Sequence, residues 1–111
     1  MAKTRMAPAD RKEQLLAVAI TIAERVGYNK LNRLMIVKEL DGEVTDGLVN
    51  RYFGQRHSLR QAVLYAGIER GNLTILAQGL ALGDSYARTA PAKMRKEAAA
   101  VVQSWAEALG A

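Results

Sequence analysis

Val44-Thr45-Asp46-Gly47-Leu48-Val49-Asn50-Arg51-Tyr52-Phe53-Gly54 is the stretch on which the fold turns. Thr45 has a hydroxyl that can accept from an N–H three residues on, which starts a helix. Gly54 takes the left-handed conformation at little steric cost and ends it. Between them, Leu48, Val49, Tyr52 and Phe53 fall at i, i+1, i+4 and i+5 and can bury together. Asp46, Gly47, Asn50 and Arg51 share the opposite, polar face. Asn pairs bidentately with adenine and Arg with guanine in a major groove wide enough for a helix, so Asn50 and Arg51 are candidate base readers. A solvated helix face carries the same residue types, so the pair alone does not separate the two readings.

Upstream, Asn32 is the predicted N-cap of a short helix running through Arg33, Leu34, Met35, Ile36, Val37, Lys38 and Glu39 to Leu40 or Asp41. Asp41-Gly42 is a turn signal. A short helix, a tight turn and a second short helix make a helix-turn-helix between about Leu31 and Phe53. Before it, Leu15, Ala19, Ile22 and Val26, with Leu16, Ile20 and Ala23 beside them, repeat every 3.6 residues and predict a helix from Asp10 to Val26, stopped by Gly27. Residues 1–9 read as a flexible basic arm with Lys3 and Arg5, closed by Pro8 in the first turn of that helix. Downstream, Leu59, Val63, Leu64 and Ile68 predict a helix over Arg56–Glu69, interrupted at Gly71 and Asn72. Leu73 to Leu82 predict a fifth helix, and Ala92 to Leu109 a sixth with a stripe of Met94, Ala98, Val101, Val102, Trp105 and Leu109. The expected class is all-α, with a helix-turn-helix unit over residues 10–70 and a short helical segment over 71–111.

Composition narrows the chemistry. The net charge is +5, and twelve of the sixteen Lys and Arg precede residue 71 against eight of the eleven acids, so a polyanion would meet the N-terminal part. Without cysteine there are no disulfides or thiolate metal sites, and a cytoplasmic location is compatible. No apolar run approaches the ~20 residues of a membrane span, and the N-terminus lacks the apolar stretch of a secretory signal. The single histidine, His57, sits among Arg56 and Arg60, so no catalytic triad can be built. Acids scattered as Asp41, Glu43 and Asp46 do not form a calcium loop. Neither an enzyme, a metal nor a cofactor is expected.

The segment from Val44 to Gly54, preceded by Ala23-Glu24-Arg25-Val26-Gly27-Tyr28, resembles the N-terminal DNA-binding domain of the TetR family. Members typically end their first helix in Ala-Glu-x-Gly-Tyr or Phe. Their recognition helix has the form Val-Ser-x-Gly-x-Leu-Tyr-x-Tyr-Phe, and a basic residue starts the fourth helix. Val44-Thr45, Gly47, Tyr52-Phe53 and Arg56 fall in matching places, over about residues 10–68. The resemblance implies a double-stranded DNA partner. Thr45 would meet a phosphate at a helix N-terminus, and Asn50 and Arg51 would lie against base edges. Arg56, Arg33 and the Tyr52 hydroxyl would be backbone contacts, with core packing the alternative for Tyr52. Lys3, Arg5 and Arg11 would follow phosphates or enter the minor groove, or else form a solvated tail.

Three departures stand out. Asp46 occupies a position where the family usually has Lys, which would turn a carboxylate toward DNA, to accept from cytosine N4 or weaken phosphate contact. Asn50 stands where Tyr is frequent. The turn Asp41-Gly42-Glu43 is about two residues longer than usual. Family members also continue into a long ligand-binding domain, whereas about forty residues follow the fourth helix here, so a small-molecule effector is not expected. Leu76, Leu80, Val102 and Trp105 are the candidate anchors of a homodimer, for which a palindromic operator follows. Trp105 as an ordinary core residue is the alternative. The competing function is a helical protein-interaction module with a vestigial DNA-binding face.

Overall fold

The computed structural model describes residues 6–110, so Lys3 and Arg5 lie outside the described residues. The architecture is all-helical, as expected, with six α-helices: α1 (Pro8–Val26), α2 (Arg33–Glu39), α3 (Asp46–Phe53), α4 (Arg56–Glu69), α5 (Leu73–Ala81) and α6 (Ala92–Gly110). Short 3-10 turns at Tyr28–Lys30 and Ala87–Thr89 link α1 to α2 and α5 to α6. No helix among the described residues is long and apolar enough to cross a membrane.

The local signals act as their chemistry requires. Asn32, Thr45 and Asn72 accept from the N–H groups of Met35, Leu48 and Ile75 and so start α2, α3 and α5. Gly27 and Gly54, at φ 96° and 75°, leave the helical path after α1 and α3 where a side chain would strain. The first helix begins two residues earlier than expected, because Pro8 fits its first turn, where the N–H that proline lacks would have no helical partner, and the Ala7 carbonyl accepts from Arg11 N at 2.9 Å. Pro8 and Ala9 are therefore helical, and Arg11 lies on α1, donating to Gln14 at 2.7 Å.

One hydrophobic cluster runs from Leu15 through Leu31, Ile36, Val49, Phe53, Leu59 and Val63 to Ile75, Leu76 and Ala98. α5 is part of that cluster. Its Gln78 accepts from the Tyr28 N–H at 2.8 Å and donates to the Ala23 carbonyl at 2.9 Å, tying α5 to the end of α1. Glycines let the helices close: a Cβ on Gly67 of α4 would stand 2.6 Å from Ile75, and one on Gly79 of α5 2.8 Å from Ala87. Leu76, expected as a dimer anchor, is instead completely buried within the chain, because this close approach of α4 and α5 seals it. Leu80 and Val102 are partly buried against the same core.

The sixth helix behaves differently. Only Ala98 on it is buried, with Met94, Val101 and Val102 half-covered by α5. Residues 103–110 are exposed, and the 19-residue helix, about 28 Å long at 1.5 Å per residue, helps stretch the molecule to 51 × 29 × 25 Å. Trp105 at 36% and Leu109 at 89% exposure are not core residues.

Candidate nucleic-acid interface

α3 divides as its spacing predicts. Val49 and Phe53 are buried and Leu48 and Tyr52 half-buried against the core, while Gly47, Asn50 and Arg51 are exposed. Thr45 is also exposed, and its hydroxyl caps Leu48 N at 3.1 Å. Thr45→Ala is expected to lower stability by about 1 kcal/mol, the usual worth of such a cap; a urea titration that left the midpoint unchanged would mean that the cap is redundant.

Beside α3, an open groove of about 610 Å³ is lined by Asn32, Arg33, Leu34, Asp46, Gln55, Arg56 and His57. The beginnings of α2, α3 and α4 converge there. No side chain caps the start of α4, and its first turn holds Arg56 and His57 with no acid. The Arg56 charge at the positive end of a helix dipole, with no acid beside it to offset it, favours an incoming anion. Among the described residues Arg51 and Arg56 have no ion-pair or hydrogen-bonded partner, unlike Arg25 with Glu39 and Arg70 with Glu13. Arg60, one turn after Arg56, is used internally, donating to the Leu31 carbonyl at 2.9 Å. Desolvation, and then the Arg56 charge, lower its pKa.

Arg33 and Asp46 differ from the expectation. Nε and Nη2 of Arg33 grip the two carboxylate oxygens of Asp46 at 2.8 and 3.2 Å. Nη1 donates to Oδ1 of Asn50 at 3.0 Å and to the Gly54 carbonyl at 3.4 Å. Arg33 is therefore not a free phosphate contact, and Asp46 does not present a bare carboxylate. The physical reason is the bidentate fit of a planar guanidinium to a carboxylate. The Asp46 hydrogen bonds raise the Arg33 pKa, against a smaller opposing effect of desolvation. The pair also clasps α2 to α3 across the long turn, where Asp41 and Gly42 take φ 51° and 81°.

Two residues were missed by sequence reasoning. His57, between Arg56 and Arg60 in sequence, is exposed and lines the groove, and Leu34, on the same wall, is 62% exposed. An apolar side chain in the first turn of α2 next to Arg33 was the available signal; it is suited to contact with a thymine methyl.

A curated protein, the HTH-type transcriptional regulator BetI of Vibrio atlanticus, is 35% identical over 57 residues, which are 51% of this chain. The chain covers 28% of that regulator's length. No family model matches the sequence, and no solved structure matches it.

Proposed function

We propose that this chain is a sequence-specific double-stranded DNA-binding transcriptional regulator, acting in the cytoplasm as a repressor and meeting a palindromic operator as a homodimer. The observation that carries the reading is that exposed Asn50 of α3 is joined through Arg33 to the groove where the uncapped start of α4 presents Arg56, with exposed Arg51 next to Asn50 in sequence and Arg51 and Arg56 unpaired among the described residues. Similarity over half the chain to a helix-turn-helix regulator supports it. In this reading α3 enters the major groove, Arg51 and Asn50 meet base edges, and Gly47 allows close approach of the helix. Thr45, Arg56 and His57 hold phosphates, with the Tyr52 hydroxyl beside them. Leu80, Val102 and Trp105 would join two copies, a role supported by the exposed end of α6.

Mobility shift against random and palindromic duplexes, over a salt series, tests this. Binding should weaken steeply with salt through counterion release. Arg51→Ala should cost discrimination between sequences, about tenfold for one lost bidentate base contact. Arg56→Ala should weaken specific and random duplexes alike and flatten the salt slope by about one unit. No shift at micromolar protein and low salt would refute the proposal and favour the protein-interaction module. Identical effects of both substitutions on both classes of duplex would refute the division of roles.

A further inference from the structure

The polar face of α3 is arranged by a residue outside it. Arg33, half-buried on α2, reaches Asp46, Asn50 and Gly54 at once. Reading adenine with an Asn side chain needs both ends of the carboxamide: the oxygen accepts from the N6 amino group while the N–H donates to N7. Here Oδ1 of Asn50 already accepts from a guanidinium at 3.0 Å, so one of its two lone pairs is taken and an amino hydrogen approaching the other meets positive charge. The Nδ2 amide remains, and polarisation of the carboxamide by the neighbouring cation strengthens it as a donor.

The other acceptor on this face is withdrawn in the same way. Both oxygens of Asp46, which would otherwise take cytosine N4, are bound by Nε and Nη2 of Arg33. The Thr45 hydroxyl oxygen is engaged with Leu48 N, and the Gly54 carbonyl with Arg33. What faces outward is then a set of donors: the Asn50 amide and the Arg51 guanidinium. Guanine is the base that offers two acceptors, N7 and O6, in the major groove.

We propose that Arg33, anchored by Asp46, makes Asn50 a donor-only reader and so specifies guanine, in place of adenine, at the base position Asn50 faces. Arg33 is here a positioning residue that need not touch DNA. The inference rests on the DNA-binding reading above, and the test separates the two.

Sequences bound by the full chain are selected from a random duplex pool, in parallel for Asn50→Ala, Arg33→Ala, Arg33→Lys and Asn50→Asp. The position that loses its preference in Asn50→Ala is the one Asn50 reads. Wild type should enrich guanine over adenine there by about tenfold, the scale of one good base contact. Arg33→Ala should free Oδ1 and shift that single position toward adenine. Arg33→Lys, which keeps the charge but not the fork, should leave an intermediate preference. Circular dichroism of each variant reports whether it folds. Asn50→Asp, on an exposed site, keeps the test alive if Arg33→Ala does not, and should lose guanine in favour of cytosine. Adenine enriched by wild type, a preference unmoved in folded Arg33→Ala, or guanine retained by Asn50→Asp would each overturn the inference while leaving DNA binding intact. Enrichment of no sequence by wild type would remove the DNA-binding reading itself and the inference with it.

Discussion

Gly67→Ala is expected to lower the thermal unfolding midpoint by about 8 °C, corresponding to roughly 2 kcal/mol in a domain of this size. Two effects compete. Alanine is the better helix former and on an open helix face would add about 0.5–1 kcal/mol. Against this, the new Cβ would stand 2.6 Å from Ile75 Cγ2, 2.8 Å from its Cβ and 3.0 Å from its Cγ1. An Ile side chain can turn its outer atoms aside, but its Cβ is attached to the backbone of α5. Ile75 is fully buried, so no rotamer leads to open space. Relief requires α4 and α5 to move apart, which opens the packing around Leu76 and Ala77. The clash therefore outweighs the propensity. Calorimetry checks it, and a midpoint that stayed level or rose would show that the α4–α5 contact yields without cost.

Gln78→Met should cost about 2 kcal/mol, the penalty of a buried donor left without a partner. Methionine keeps the length and the apolar stem of the side chain, so the loss reports the two hydrogen bonds and little else. Of the groups released, the Ala23 carbonyl still accepts from Gly27 N at 2.8 Å. The Tyr28 N–H has no such substitute, since Gln78 is the acceptor it uses. Amide exchange is the sharper readout: the Tyr28 N–H should exchange much faster in the variant, with amides of α3 little changed relative to the global loss. Protection of Tyr28 equal to wild type would mean that another acceptor takes over, and the assigned role of Gln78 would fall.

Both predictions concern the join between α5 and the first four helices, a place where sequence reasoning stopped short. Gln78 was not singled out because nothing within four residues of it reveals a partner fifty positions away in Tyr28. The Leu76 assignment failed for a related reason. Periodicity shows that a leucine on α5 belongs to an apolar stripe, but a stripe facing the chain's own core and one facing a second copy look alike. Which it is depends on how closely α4 approaches, and that depends on Gly67 and Ile75. Trp105 shows the converse, since a large aromatic on the α6 stripe lies beyond the point where α5 ends and cover is lost.

The helix-turn-helix itself was legible throughout. Asn32, Thr45 and Gly54 act on backbone groups within a few residues, and the division of α3 into Val49 and Phe53 beneath and Asn50 and Arg51 above follows from a 3.6-residue repeat. Such determinants are local, so the order of residues alone settles them: six helices, the caps that start α2 and α3, and a third helix with its polar face outward. What Asp46 and Asn50 can do on that face was decided only by the tertiary structure. The fold carries Arg33 from α2, 13 and 17 residues away in sequence, to within 3 Å of both. There its charge and forked geometry take up their acceptors, so the chemistry that the face offers depends on a neighbour that no spacing rule reveals.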